Sequence, residues 1–294
     1  MAFDYTRAPM RGARSFVWIV MLLTLSACAS GPKKPPVGTL EPDKFLWERG
    51  TEELNKKHWL TSREYFRQLM DSYPQSQYRA DAKLGLADTY LGEGSAESSV
   101  LAINEYREFL SFYPTHRRAY YAQYKLGMCH FYQMHGSDRD QSATVEAIAE
   151  LTTFVNRYSS INPNDPDAET RAKVLEDGRA SLREARDRLS DSDYRVGYFY
   201  LKTQKFPPAA IDRFQTILKN DPEYTRRDGV YFYLAEALIK MKREKEALPY
   251  LDRLLVEFEQ SEYLAQAKKL VETLKAEPNA DPKKPKNGSV SHDS

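Results

Sequence analysis

The sequence has little of what distinguishes a nucleic-acid-binding protein or a membrane-spanning protein. Its 294 residues include 43 Lys and Arg against 42 Asp and Glu, so the formal net charge is only +1. A near-neutral chain argues against a nucleic-acid partner, because neutralising phosphates requires a concentrated basic surface. The apolar run from Phe16 to Leu25 is too short to span a bilayer as a helix.

The sequence also lacks the spacing of a metal site. The segment from Met128 to His135 contains Cys129, His130 and a second histidine, which are residue types that bind soft metals. On a helix, however, His130 and His135 are five residues apart, whereas two ligands on one face require a spacing of four. We therefore expect His130 to pack between helices, and we expect no metal ligand.

Catalytic groups are equally scarce. No serine, threonine or cysteine stands beside a plausible base. Gly92-Glu93-Gly94 lacks the preceding strand of a phosphate-binding loop. Asp138 and Asp140 resemble the start of a calcium loop, but the glycine and the final glutamate of that loop are missing. We expect no catalytic residue and interpret the chain as a binding protein and not an enzyme.

What the sequence does contain begins with a targeting segment. Three arginines precede the apolar run, which ends in Leu25-Ser26-Ala27-Cys28. This resembles a bacterial lipobox, in which the signal peptide is cut before the cysteine. The resemblance predicts a signal peptide at 1–27, and a diacylglycerol and an N-acyl chain on Cys28 as the only non-protein groups. An ordinary signal peptide or a fortuitous cysteine remains the alternative.

The position after the lipidated cysteine bears on the destination. Ala29 and Ser30 follow Cys28, with no aspartate. In enterobacterial lipoproteins this favours export to the outer membrane, and the rule is less secure in other lineages. We expect a lipid anchor at the periplasmic face of the cell outer membrane. With Cys28 lipidated, no second cysteine is left to form a disulfide with Cys129, so we expect no disulfide and a buried thiol.

Five segments match, imperfectly, one order of residue types: a small residue, a second small residue, an aromatic and a proline, on a period near 34 residues that is lengthened by extra residues in the second and third turns. The order matches the tetratricopeptide repeat, a pair of helices that crosses at the small residues and must stack on its neighbours. It predicts an all-α fold, an α-solenoid of about five tetratricopeptide-like helix pairs with a long connecting helix. The small positions are Gly50 and Ser62, Ala87 and Ala102, Gly127 and Ala147, Gly197 and Ala210, and Ala235 and Ala247.

Composition divides the chain around these repeats. A segment rich in proline and glycine follows the lipobox and is typical of an extended tether. The C-terminal segment lacks an apolar anchor and is typical of disorder. The predicted boundaries are 28–42 for the lipidated tether, 43–160 for repeats 1–3, 161–192 for a loop and the connecting helix, 193–275 for repeats 4–5, and 276–294 for the disordered tail.

The first helix of each pair in such an array faces a concave surface, which suits an extended peptide with bulky side chains. Offsets from three of the small residues select the candidates for such a groove. The alternative is that individual rings only fill helix junctions, so the hypothesis concerns the set. The predicted peptide-groove residues are Trp47, Leu54, Tyr124, Met128, Phe131 and Tyr194.

Taken together, the chain resembles the family of the outer-membrane assembly lipoprotein BamD. Beyond the lipobox and the repeats, particular segments carry the resemblance. They are the YPQSQY stretch at 73–78, the SDRDQ stretch at 137–141, the RDRL stretch at 186–189 with the tyrosines that follow it, and the AIDR stretch at 210–213.

The resemblance implies a non-enzymatic scaffold of the β-barrel assembly machinery. The family's N-terminal repeats are thought to receive targeting peptides of unfolded outer-membrane proteins. Its C-terminal repeats dock on a POTRA domain of the barrel-forming subunit, and accessory assembly lipoproteins are further possible partners. By the residue match, Arg213 contacts an acidic side chain of that domain, although an ordinary solvated arginine is the alternative.

Other classes of binding protein stay open at this point. One is a periplasmic tetratricopeptide coordinator of cell-wall synthesis or division, which usually carries a coiled-coil segment that this sequence lacks. Another is a lipoprotein that activates a peptidoglycan hydrolase.

Overall fold

The computed structural model describes residues 34–36 and 38–276, and every regular element in these residues is helical. The predicted all-α class is therefore confirmed. The helices are α1 Pro42–Asn55, α2 Trp59–Ser72, α3 Arg79–Glu93, α4 Ala96–Phe112, α5 Ala119–Phe131, α6 Ser142–Tyr158, α7 Ala168–Lys202, α8 Pro207–Asn220, α9 Arg227–Lys240, α10 Glu244–Glu257 and α11 Leu264–Ala276.

These helices form five tetratricopeptide-like pairs and a final single helix, as the repeat spacing predicts. The second half of α7 is the first helix of the fourth pair. The described chain separates into two compact units, and the division falls after Ala122, near the start of α5.

In three pairs, the crossing point is a glycine in contact with a large buried side chain of the second helix. A Cβ added to Gly50 would lie 2.6 Å from the ring of Phe66, and one added to Gly197 would lie 2.9 Å from the ring of Phe214. The Oγ of Ser62 also donates a hydrogen bond of 2.7 Å to the carbonyl of Gly50. These small residues thus lie at close contacts between the two helices of a pair.

The connecting helix is longer than the sequence indicated. Helix α7 runs for 35 residues and passes without a break through 192 and 193, where the composition placed a boundary. No proline or helix-ending glycine interrupts this stretch, so the chain has no reason to leave the helix. One face of α7 packs Leu182 against Met128 and Leu151, and further along, Tyr194 and Leu201 join the C-terminal core.

A buried acidic residue fixes α7 to the end of α8. Asp221 is only 6 % exposed, and it forms an ion pair with Arg183 of α7. The Oγ of Ser190 donates a second hydrogen bond to the same carboxylate, at 2.9 Å. Because a buried carboxylate must be paired, these contacts determine where the turn after α8 meets the long helix.

Three of the turns between paired helices contain a lysine in the left-handed region. Lys57, Lys205 and Lys242 have φ values of 62°, 51° and 58°. At two of them the turn closes as a Schellman motif, with the N–H of His58 on the carbonyl of Glu53 and that of Arg243 on Leu238, both at 2.9 Å. Glycine is the usual residue at this position, because it has no Cβ to clash.

Several sequence predictions lie outside the described residues: the signal peptide at 1–27, Cys28 with its lipid, most of the tether, and positions 277–294 of the predicted tail. Cys129 is buried at 1 % exposure, as predicted. Across 34–36 and 38–276, no three His, Cys, Asp or Glu side chains are arranged to hold a metal ion. In the same part of the chain, none of the helices combines the length and the apolar character needed to cross a membrane.

The packing of Phe66 generates the first testable prediction. Phe66 is 1 % exposed and fills the space beside Gly50 and Gly85, so Phe66→Ala should lower the free energy of unfolding by about 3–5 kcal/mol. Phe112 is the matched control, because it lies in the same unit and is 70 % exposed. Phe112→Ala should change the value by about 0.5 kcal/mol or less.

The measurement is urea-induced unfolding of the full chain, followed by far-UV circular dichroism. Equal effects of the two substitutions would contradict the packing described for α1, α2 and α3.

Candidate functional site

The predicted groove residues fall in both compact units. Trp47 and Leu54 lie on α1 in the first unit, and both are half-buried. The indole of Trp47 stacks on the ring of Tyr78, with centroids 5.0 Å apart and planes 19° from parallel. Leu54 lies in the last turn of the same helix. Both side chains therefore leave part of their apolar surface on α1 accessible to solvent.

The three predicted residues on α5 belong to one hydrophobic cluster. Met128 is 5 % exposed and packs with Leu151 and Leu182. Tyr124 and Phe131 are half-buried at the border of this cluster. Met128 therefore has almost no surface to offer a ligand, whereas Tyr124 and Phe131 retain some.

Tyr194, on α7, is 7 % exposed and lies at the floor of a cleft in the second unit. Its ring centroid is 5.9 Å from that of Phe214 and 6.2 Å from that of Tyr233. The hydroxyl reaches α9 at Gly229, where an added Cβ would lie 2.9 Å from the phenolic oxygen. The guanidinium of Arg226 lies over the ring, 4.9 Å from its centroid.

This cleft, called the tyrosine cleft below, encloses about 440 Å³. Sequence reasoning missed most of it. Met128, which is in the predicted set, directly follows Gly127. The equivalent residue after Gly197 is Tyr198, which the predicted set does not include. Tyr233 and Tyr263 come from a different helix and a turn, and no local pattern connects them. The lining residues are Tyr194, Arg195, Tyr198, Arg226, Tyr233 and Tyr263.

The electrostatics of the cleft combine neutral phenols with two cations. Burial raises the pKa of Tyr194 to about 12, and burial likewise raises the pKa of Tyr233 and of Tyr263. These hydroxyls therefore remain protonated at neutral pH and can donate hydrogen bonds. Arg226 forms an ion pair with Asp191 at 3.1 Å. The guanidinium of Arg195 has no ion pair or hydrogen bond within 34–36 and 38–276.

Arg213, the predicted partner-binding residue, lies on α8. Its side chain is 45 % exposed, and its Nη1 lies 2.9 Å from Oδ1 of Asp193 on α7. Local sequence patterns do not predict this pairing, because the two residues are twenty positions apart on different helices. An exposed pair of this kind contributes at most about 1 kcal/mol, so Arg213 can leave it to meet another carboxylate.

The SDRDQ stretch forms a turn that leads into α6. The side-chain amide of Gln141 donates to the carbonyls of Gly136 and Arg139, at 2.8 and 2.9 Å. The carboxylate of Asp140 accepts the N–H of Ser142, at 3.1 Å. These contacts use the polar groups of the turn internally and explain its shape without a bound cation.

Comparison with known proteins adds a family. Residues 40–248 match the family model YfiO, which is described as an outer membrane lipoprotein. A protein of Caulobacter vibrioides called outer membrane protein assembly factor BamD is 29 % identical over 240 residues, which are 81 % of this chain and 73 % of that protein. A protein of the same name from Xylella fastidiosa strain 9a5c is 23 % identical over 206 residues, covering 67 % of this chain and 65 % of its own length.

Among solved structures, a MamA protein aligns with a TM-score of 0.30 and 18 % identity, over 75 % of this chain and 93 % of its own. The TPR2AB domain of yeast Sti1 in complex with pHSP90 aligns with a TM-score of 0.35 and 13 % identity, over 79 % and 98 %. These low scores support no conclusion about binding.

Proposed function

Because this chain belongs to the YfiO family of outer membrane lipoproteins, we propose that it is a lipid-anchored scaffold for the assembly of outer-membrane proteins. The observation that carries the proposal is the match of residues 40–248, which spans all five helix pairs except the last part of the fifth. The relatives called outer membrane protein assembly factor BamD support the same role.

The proposed scaffold works by holding partners near the membrane. Acyl chains on Cys28 attach the helical body to the outer membrane, each buried methylene contributing about 0.8 kcal/mol. The first helices of the repeats receive an extended peptide of an unfolded outer-membrane protein. The C-terminal pairs dock on a POTRA domain of the barrel-forming subunit. No step requires a catalytic group, and binding alone brings substrate and barrel-forming subunit together.

The peptide-binding part of the proposal rests on the accessible aromatic and aliphatic surface of the first helices. Trp47 and Leu54 supply it on α1, and Tyr124 and Phe131 on α5. Backbone hydrogen bonds give affinity for any extended peptide, whereas pockets for bulky side chains give selectivity. Met128 and Tyr194 are buried, so they support the surface by packing beneath the surrounding rings and do not contact the peptide themselves.

The docking part rests on Arg213. Its guanidinium is exposed and already oriented by Asp193. A carboxylate of the barrel-forming subunit can share or replace this partner, because the planar guanidinium of an arginine donates two parallel hydrogen bonds to a carboxylate. The long helix that carries Asp193 then positions the docking residue.

The lipid anchor predicts a change of location. Cys28→Ser removes the acylated sulfur, so the protein should lose incorporation of radiolabelled palmitate and leave the outer-membrane fraction. The measurement is metabolic labelling together with separation of the membranes. Cys129→Ser is the control, since Cys129 is buried inside the repeat array and should not change labelling. Undiminished palmitate in the Cys28 variant would refute the anchor.

The peptide surface predicts a position-dependent cross-link. A photoreactive benzoylphenylalanine in place of Leu54 should cross-link to a labelled peptide from the C-terminus of an outer-membrane β-barrel protein. The same replacement at Phe112, which is 70 % exposed on a second helix, should cross-link far less. The readout is the yield of the cross-linked band. Equal yields at the two positions would argue against a peptide surface on α1.

The docking residue predicts a loss of association. Arg213→Glu reverses the charge, so co-purification of the barrel-forming subunit from detergent-solubilised membranes should fall at least about tenfold, as expected for a charge-assisted contact. Lys219→Glu is the matched control, because it makes the same charge change on an exposed residue of α8. Helicity should stay unchanged in both variants, and retained co-purification by the Arg213 variant would count against docking through this residue.

A further inference from the structure

The tyrosine cleft differs from the hydrophobic core in one respect: part of its aromatic wall faces solvent. Tyr198 is 41 % exposed, and its ring meets that of Tyr233 edge to face, with centroids 5.1 Å apart at 86°. Tyr263 completes the wall, with its centroid 5.4 Å from that of Tyr233. Tyr194 and Tyr233 pack into the core below, so they fix a rigid aromatic surface on which Tyr198 stands.

The cleft continues into a second cavity along the same helices. This cavity encloses about 480 Å³ and shares Tyr233 with the tyrosine cleft, and its other walls come from the end of α7, from α9 and from α11. Each cavity has the volume of a small ligand pocket. Two such cavities that meet at one ring fit an extended chain with successive side chains better than one compact molecule.

The charges along this path are predominantly positive. Arg195 stands at the tyrosine cleft without a partner, and the ammonium of Lys269 at the second cavity also makes no ion pair among the described residues. The one carboxylate that lines the second cavity, that of Glu236, is already neutralised by Lys202 at 2.6 Å and by Lys240 at 3.4 Å. Both cations are exposed to solvent and can therefore pair with carboxylates of a bound segment.

We propose that the tyrosine cleft binds an extended acidic segment of a partner protein. An aromatic side chain of the segment lies against Tyr198 and Tyr233, and an adjacent Asp or Glu carboxylate pairs with Arg195. A carboxylate one or more residues further along pairs with Lys269. The cleft shares Tyr194 with the predicted peptide groove, but it uses neither Arg213 nor the α1 surface, so the experiments on those two features do not test it.

The chain's own C-terminal segment does not fit this site. Residues 277–294 follow α11 directly, but they contain no Phe, Tyr or Trp, and three lysines lie within the stretch from 283 to 286. Such a segment offers no ring for the tyrosine wall and brings cations towards Arg195 and Lys269. The charge pattern and the aromatic wall therefore favour a different protein as the occupant.

The experiment compares two synthetic peptides on the purified full-length protein in detergent. Both are fluorescein-labelled, acetylated and amidated at the termini, so that no terminal carboxylate contributes. One has a single Phe flanked by glutamates, and in the other lysines replace the glutamates. Fluorescence polarisation should give a Kd for the acidic peptide that is at least about tenfold lower than that for the basic peptide. Added salt should weaken the acidic peptide's binding, because exposed charges are screened.

Two variants locate the binding. Arg195→Glu should weaken the acidic peptide by at least about tenfold, whereas Arg253→Glu, the same change at an exposed arginine of α10, should leave the Kd within about twofold. Tyr198→Ala removes a ring that lies outside the core and should weaken binding about tenfold, with the circular dichroism spectrum unchanged.

The proposal is overturned if neither peptide binds, if the two peptides bind equally, or if the Arg195 and Arg253 variants behave alike. Co-purification of the barrel-forming subunit, which tests the proposed function, is measured separately, so failure of one leaves the other intact.

Discussion

The structure depends on a close approach between paired helices that only a missing side chain permits. At Gly50 and Gly197 the ring of a phenylalanine lies against the backbone of the first helix, in the volume that a Cβ would occupy. Because interiors are packed at crystal-like density, this contact determines the distance between the two helices of a pair. The side chains one turn away on the first helix are thereby fixed as well, and these positions supply the predicted peptide surface.

The long helix α7 connects the packing of one helix pair to that of the next. Along its length it carries Leu182 for one hydrophobic cluster and Tyr194 and Leu201 for the next. On the same rigid element lie Asp193, which orients Arg213, and Arg195 and Tyr198, which line the tyrosine cleft. A ligand that moves α7 at the cleft would also move Asp193, the partner of Arg213. Asp193, Arg195 and Tyr198 lie within two turns of the same helix.

The repeat pattern was enough to predict the helix pairs, because small residues and aromatic residues recur at the positions where the paired helices pack against each other. Contacts between helices that are far apart in sequence could not be predicted in the same way. The pairing of Arg213 with Asp193 and the meeting of Tyr198, Tyr233 and Tyr263 depend on helix orientations that no local spacing encodes. The burial of Met128 shows a second limit of sequence patterns. The spacing from a small residue predicts which face of the helix a side chain lies on, but it does not predict how much of that side chain a neighbouring helix covers.

The lysines at the inter-helix turns have a consequence for natural variation. Lys57, Lys205 and Lys242 hold a backbone conformation that costs a residue with a Cβ about 1–2 kcal/mol, and their side chains are exposed. The substitutions tolerated at these positions therefore depend on whether a residue can adopt a positive φ, and not on the chemistry of its side chain. Glycine and asparagine are the replacements with least penalty, β-branched residues carry a greater one, and proline is barred because its ring fixes φ at a negative value. Homologous chains should differ freely in charge at these turns while keeping to that short set of tolerated residues.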